Sequence, residues 1–162
     1  MLTQEQLKTL LSYDPETGVF VWINPASRRV KIGDIAGKVD YHKYVKIRVN
    51  YILYPAHRLA WLYIHGTFPE NEIDHKNGVK SDNRISNLRP ATRSENCMHR
   101  KILSSSKSKI KGVSWNKRDK KWIARCSVNG TRHLLGYFDN PEEASIIYQE
   151  FAKKNHGEFY LP

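Results

Sequence analysis

Asp74 and His75 are adjacent, Asn87 follows the histidine by twelve positions, and Asn96 follows by nine more. These side chains could together do hydrolytic chemistry. An imidazole, with an unperturbed pKa near ~6.5, can take a proton from water at neutral pH. A carboxylate and an amide oxygen are hard donors, which suit Mg²⁺ or Mn²⁺ better than zinc. A divalent ion held by two protein ligands keeps positions for water and for an anionic substrate. Neutralising developing charge as a Lewis acid would be its part in the reaction.

The elements that must position these residues can be read from their surroundings. Glu72 to His75 forms a short strand, and Asn77-Gly78 is a hairpin-turn signal. Neighbouring residues on a regular strand point to opposite faces, so Asp74 and His75 cannot both project inward. The strand is therefore expected to end at His75, with the turn beginning there. Thr92 and Glu95 make a capping box, which predicts a helix from about Arg93. Asn96, His99 and Arg100 then share one helical face. Upstream, a helix is expected over 56–65, between Pro55 and Gly66, with Leu59, Leu62 and Tyr63 on one stripe. His57, at its start, reads as structural, Trp61 as core, and Asn77 and Asn83 as turn residues.

The arrangement Asp74-His75, Asn87-Leu88-Arg89 and Thr92-Arg93-Ser94-Glu95-Asn96 resembles the ββα-metal motif of HNH endonucleases, most closely the phage and intron-encoded homing type. The resemblance implies that His75 is the general base and that Asp74 and Asn96 hold one divalent cation, Mg²⁺ or Mn²⁺. It also implies that Asn87 fixes the loop and orients His75. Many HNH nucleases have histidine where this chain has Asn96, and His99, one turn further on, stays open as the alternative ligand. Arg89, Arg93 and Arg100 are candidate phosphate clamps, with Arg93 nearest the scissile group and His99 and Arg100 as possible supporting residues. Hydrolysis of this kind leaves 5′-phosphate and 3′-hydroxyl ends.

The chain has 162 residues, with 27 Lys+Arg against 16 Asp+Glu, a formal charge of +11. That imbalance points to a polyanion, with double-stranded DNA as the expected partner. No apolar run is long enough to span a membrane, and Met1 to Leu11 lacks the pattern of a signal peptide. Two cysteines, Cys97 and Cys126, are too few for a cysteine zinc site and fit a reducing compartment. A cytoplasmic location, in a phage-infected or bacterial cell, is expected.

Before the motif, Thr3 and Gln6 cap a helix bearing Leu7, Leu10 and Leu11, 13–18 is a turn, and Val19 to Trp22 is a strand. Ser27 to Lys31 is a basic loop. Val45, Ile47 and Val49 alternate with Lys46 and Arg48, a half-buried strand with a cationic face. After the motif, 102–109 is serine-rich and basic and reads as a flexible linker.

Beyond it come strands over 111–115, 121–128 and 131–138, then a helix begun by Asn140 and Pro141. Ala124 and Cys126 should face this helix, with Lys121, Ile123 and Arg125 outward. Lys111-Gly112-Val113, Trp122, Gly130, Leu135-Gly136-Tyr137-Phe138 and Glu142-Glu143-Ala144 are similar to the AP2 DNA-binding domain. Ser114 and Asn116 stand where that family has arginines. The resemblance implies DNA contacts from the sheet by Lys111, Arg125 and Arg132, and the outward pattern adds Lys117, Arg118 and Lys121.

The expected architecture is α+β, in four parts. An N-terminal αβ segment (1–55) and a ββα-metal nuclease unit (56–101) come first. The linker (102–109) and an AP2-like three-stranded antiparallel sheet with one helix (110–162) follow. The expected function is a metal-dependent, site-selective DNA endonuclease. One active site per chain predicts nicking by a monomer, and a double-strand break would need a dimer or two nicks. An inactive HNH/AP2 DNA-binding regulator and a nuclease without sequence preference remain as alternatives.

Overall fold

A computed structural model describes residues 1–25, 29–99 and 108–161. Arg28, Arg100 and positions 102–107 of the expected linker lie outside the described residues. The chain divides into two compact units, Met1–Ala91 and Thr92–Pro162.

The first unit starts with α1 (Gln4–Leu10), where Thr3 and Gln6 complete the capping box. The helix stops one residue earlier than its leucine pattern suggests. Leu11 takes an extended conformation and opens β1 (Leu11–Asp14), which pairs antiparallel with β2 (Val19–Trp22). The short strands β3 (Lys38–Val39) and β5 (Ile52–Pro55) flank β4 (Val45–Val49). Neither flanking strand carries enough alternation to be read from sequence.

Pro55 leads directly into α2 (Ala56–His65), which Gly66 closes in the left-handed conformation. β6 (Glu72–His75) then pairs antiparallel with β7 (Leu88–Ala91). Leu7, Leu11, Phe20, Ile47, Leu59, Leu62, Ile73 and Leu88 bury into one core. The N-terminal 55 residues and the strands bearing Asp74 and His75 therefore fold around a common centre.

Asn77-Gly78 is not a complete hairpin. Residues 76–87 form a long connection between β6 and β7, and Gly78 closes only its first turn, donating its N–H to the His75 carbonyl at 2.8 Å. The turn does begin at His75, as the opposite-faces argument requires. The rest of the loop is held by side chains, which is why a two-residue turn signal does not foretell it.

The second unit opens with α3 (Arg93–Met98), whose Thr92–Glu95 capping box is complete. β8 (Val113–Asn116), β9 (Lys121–Val128) and β10 (Thr131–Phe138) form an antiparallel sheet in the order β10-β9-β8. α4 (Pro141–His156) starts at the Asn140 cap with Pro141 in its first turn. Its Ala144, Tyr148 and Ala152 pack with Val113, Ala124 and Cys126.

Two expectations fail here. Lys111 precedes β8 instead of opening it, because Gly112 turns the chain with a positive φ and strand pairing starts at Val113. Ile123 points away from α4, as expected, but is 3% exposed, flanked across the strands by Ser114 and Tyr137. The outward sheet face is therefore not uniformly open.

One glycine fixes how the β1–β2 turn meets the long loop. Gly18 has φ +74, and a Cβ there would lie 2.4 Å from the Arg84 nitrogen and 2.5 Å from the Asn83 carbonyl carbon. Neither backbone atom can yield cheaply. Gly18→Ala should therefore destabilise the first unit by about 2–3 kcal/mol, through strain at a special φ combined with overpacking. Urea unfolding followed by tryptophan fluorescence would read this as a lower midpoint with little change in slope.

Candidate active site

Asp74 and His75 leave β6 on opposite faces, yet both are buried, at 6% and 4% exposure. Asp74 stands directly across from Arg89 on β7. The Arg89 Nε and Nη2 reach the Asp74 Oδ2 at 2.9 and 2.7 Å, a buried salt bridge spanning the two strands. His75 shares its face with Ile73 and Leu88, at the edge of the core.

The ring of His75 is enclosed by three neighbours. His57, from the first turn of α2, meets it edge-on with centroids 5.1 Å apart. Tyr44 lies 5.4 Å from His57 and 6.1 Å from His75. Asn83 places its Oδ1 3.4 Å from His75 Nε2. Outside this cluster, Lys80 and Lys46 set their ammonium groups 4.7 and 5.7 Å from the Tyr44 ring.

Burial pushes the His75 pKa below the usual histidine value, while the Asn83 hydrogen bond and the carboxylates of Asp74 and Asp82 pull the other way. His57 is shifted further, down to about 3, by burial first and then by the positive charge of His75, Lys46 and Arg58. Both rings are accordingly neutral at pH 7.

The loop between the strands is braced largely by its own polar side chains. Asn87 Oδ1 accepts from the Asn77 N–H at 3.0 Å, and its Nδ2 donates to the Asp82 carbonyl at 2.8 Å. Asn77 Nδ2 reaches Asp82 Oδ2 at 2.7 Å. Hydrogen bonds from Arg84 hold the Asp82 carboxyl down at about 2. Asn87 thus ties both ends of the loop, and the side chain that touches His75 is Asn83. Sequence reasoning gave Asn83 only a turn role, and its lone signal is its place on the loop facing a histidine eight residues earlier.

The remaining candidates lie in the second unit. Asn96 is half-buried on α3, His99 is buried just past its end, and Arg93 is exposed at its start. Arg93, Lys111 and Arg125 line a cleft of about 590 Å³ that also reaches Cys126, Tyr148 and His156. Lys111 is not on the open sheet face. Its ammonium donates to the Leu161 carbonyl at 2.7 Å, and burial lowers its pKa. Arg132 and Arg125 do lie on the face away from α4, and Lys117 and the highly exposed Arg118 occupy the β8–β9 turn. Lys121 pairs with Asp139 at 2.6 Å. Cys97 and Cys126 are free thiols.

The HNH endonuclease family model matches residues 54–98, the stretch from β5 through α3. Protein 3.8 of Escherichia phage T7 is 31% identical over 104 residues, covering 64% of this chain and 85% of that protein. The chain belongs to the HNH endonuclease family. The match marks it as an endonuclease, a hydrolase of phosphodiester bonds. The uncharacterized HNH endonuclease L560 of Acanthamoeba polyphaga mimivirus is 33% identical over 108 residues, 65% of this chain and 55% of that protein. The chain therefore spans about half the length of that relative. Among solved structures, the HNH homing endonuclease I-HmuI, described in the act of DNA binding and cleavage, gives a TM-score of 0.44 at 22% identity. That match covers 90% of this chain and 76% of the other. Among the described residues, no helix of this HNH protein is long and apolar enough to cross a membrane.

Two stability effects follow from the buried groups. Arg89→Leu leaves the Asp74 carboxylate buried without its guanidinium and should cost about 3–5 kcal/mol, measurable by chemical denaturation. His57 is depressed in the fold, so between pH 6.5 and about 3 the unfolded chain binds the extra proton. Its contribution is intact above pH 6.5 and falls by about 1.4 kcal/mol per pH unit below it. Denaturation curves at stepped pH should show this acid slope, reduced in His57→Gln.

Proposed function

We propose that this HNH protein is a metal-dependent, site-selective endonuclease that nicks one strand of duplex DNA, with His75 as its general base. The observation that carries this reading is His75 itself. It is a buried histidine depressed by burial, beside a buried carboxylate, with one ring nitrogen engaged by an amide. A neutral imidazole at pH 7 is the form that accepts a proton.

Chemistry decides whether the donor set suits a cation. Asp74 supplies a carboxylate and Asn96 an amide oxygen, both hard donors of the kind that hold Mg²⁺ or Mn²⁺. Among the described residues no group of three or more His, Cys, Asp or Glu side chains could hold a metal. That absence does not bear on an Asp–Asn pair. Asp74 and Asn96 are the residues proposed to hold one such ion, which would offset the charge that develops on the scissile phosphate.

His75 takes the proton from a water as that water's oxygen bonds to phosphorus. The bond from phosphorus to the 3′ oxygen then breaks, leaving a 5′-phosphate and a 3′-hydroxyl once that oxygen gains a proton from solvent. Arg89 keeps Asp74 aimed through its two contacts with Oδ2. Arg93 is proposed to grip a phosphate near the reacting one. Asn87 acts at a distance, by fixing the loop.

Within the second unit, residues 110–162 are proposed as an AP2-like DNA-binding module. A three-stranded antiparallel sheet backed by one helix supports this, together with Arg125, Arg132, Lys117 and Arg118 on its outer face and turn. Such a surface suits phosphate contacts and groove entry. Lys111 and Lys121 are weaker candidates, since each already has a partner.

Supercoiled plasmid carrying candidate target DNA provides the test. Wild type should convert it to open circle with Mg²⁺ or Mn²⁺ and not with EDTA. His75→Ala should lose this activity while DNA affinity stays nearly unchanged. Nicking by His75→Ala at the wild-type rate would overturn the assignment of the base. Arg125→Ala combined with Arg132→Ala should weaken binding and flatten its dependence on salt, read by anisotropy at several salt concentrations.

A further inference from the structure

We propose that Asn83 is a positioning residue for the nuclease reaction, holding His75 in the tautomer whose Nδ1 bears the lone pair. The proposal rests on the reading of His75 as base and assigns which of its two nitrogens does the work.

The argument runs from one carbonyl outward. A backbone carbonyl can only accept a hydrogen bond, and Asn83 Nδ2 lies 3.1 Å from the Ser81 carbonyl oxygen. That contact fixes which end of the amide is nitrogen. The other end, Oδ1, therefore faces His75 Nε2 at 3.4 Å. An amide oxygen is also purely an acceptor, so the hydrogen between them belongs to the ring. With Nε2 carrying the hydrogen, neutral His75 has its lone pair on Nδ1. The 3.4 Å separation is long, as contacts of catalytic groups often are before substrate binds.

Asn83 is itself held from outside the loop. It is 2% exposed, and its carbonyl accepts from the Tyr13 hydroxyl at 2.7 Å. Burial, with the carboxylates of Asp14 and Asp82, pushes the Tyr13 pKa up, so this hydroxyl stays a donor. Gly18 lies against the Asn83 and Arg84 backbone with no room for a Cβ, and the Ile85 N–H donates to the Pro15 carbonyl at 3.2 Å. The β1–β2 hairpin thus clamps the backbone of the residue that orients the base. A side chain serving only a turn would not need this backing, nor would it aim its amide at an imidazole.

The test combines nitrogen NMR of the His75 ring with kinetics on a supercoiled plasmid that wild type nicks. Long-range ¹H–¹⁵N spectra of wild-type protein should show the Nε2–H tautomer, assigned by its loss in His75→Ala. Asn83→Leu should give a mixture of tautomers and lower kcat about 100-fold, with KM and DNA affinity little changed. Asn83→Asp keeps an acceptor oxygen in place and should restore the single tautomer and most of kcat. An Nδ1–H ring in the wild type would overturn the proposal without any variant, even if Asn83→Leu failed to fold. So would a folded Asn83→Leu with wild-type kcat. Unimpaired nicking by His75→Ala is a different failure, that of His75 as base.

Discussion

Two residues that are neighbours in a strand cannot share a face, and the first unit is arranged around that constraint. Asp74 and His75 are both buried, so the β6–β7 pair leaves neither face to solvent at this point. On one face the carboxylate is met by Arg89, directly across the ladder. On the other the imidazole sits at the edge of the main core, where aromatic rings and an amide enclose it. The two faces use different physics. A carboxylate in a buried place needs a counter-charge, whereas an imidazole buried among mostly neutral neighbours is favoured in its uncharged form.

The long connection after His75 serves the same end with little apolar material. Its path depends on Asn77, Asp82 and Asn87, which satisfy each other and the backbone between them. Such a network is rigid when complete and costly when broken, because each buried amide left without a partner forfeits its solvation. These loop side chains can thereby hold the strand pair in register. The second unit follows a different plan. It is a sheet with one apolar face under α4, and its cations gather on the opposite face and in the β8–β9 turn.

Much of this was legible in the residues, and the reasons for success and failure are physical. Capping boxes at Thr3 and Thr92, the Gly66 stop and the Asn140 start are local signals whose hydrogen bonds close within a few residues. Strands β4 and β9 are readable from alternation, and β2 from an apolar run after a turn. β3 and β5 are not, since two exposed residues in one and an exposed Ile52-Leu53 pair in the other give no period. Asn77-Gly78 misled because it does form a turn, and sequence cannot say that twelve residues, not two, separate the strands. The charge of Lys111 suggests an open face, but its ammonium donates to the carbonyl of Leu161, fifty positions away. What Asn83 and His57 touch is likewise set by tertiary packing and not by their neighbours in sequence.

The stretch that matches the HNH family model begins at residue 54, whereas Tyr13, Pro15 and Gly18, which support the loop bearing Asn83, come long before it. The matched stretch and the scaffold of its loop are thus not the same interval of chain. A fragment excised at the family boundaries would carry His75 and Asn83, and would leave behind the hairpin that backs Asn83. Modularity here belongs to the three-dimensional unit. Any attempt to transplant the β6–β7 loop would have to move the β1–β2 hairpin with it.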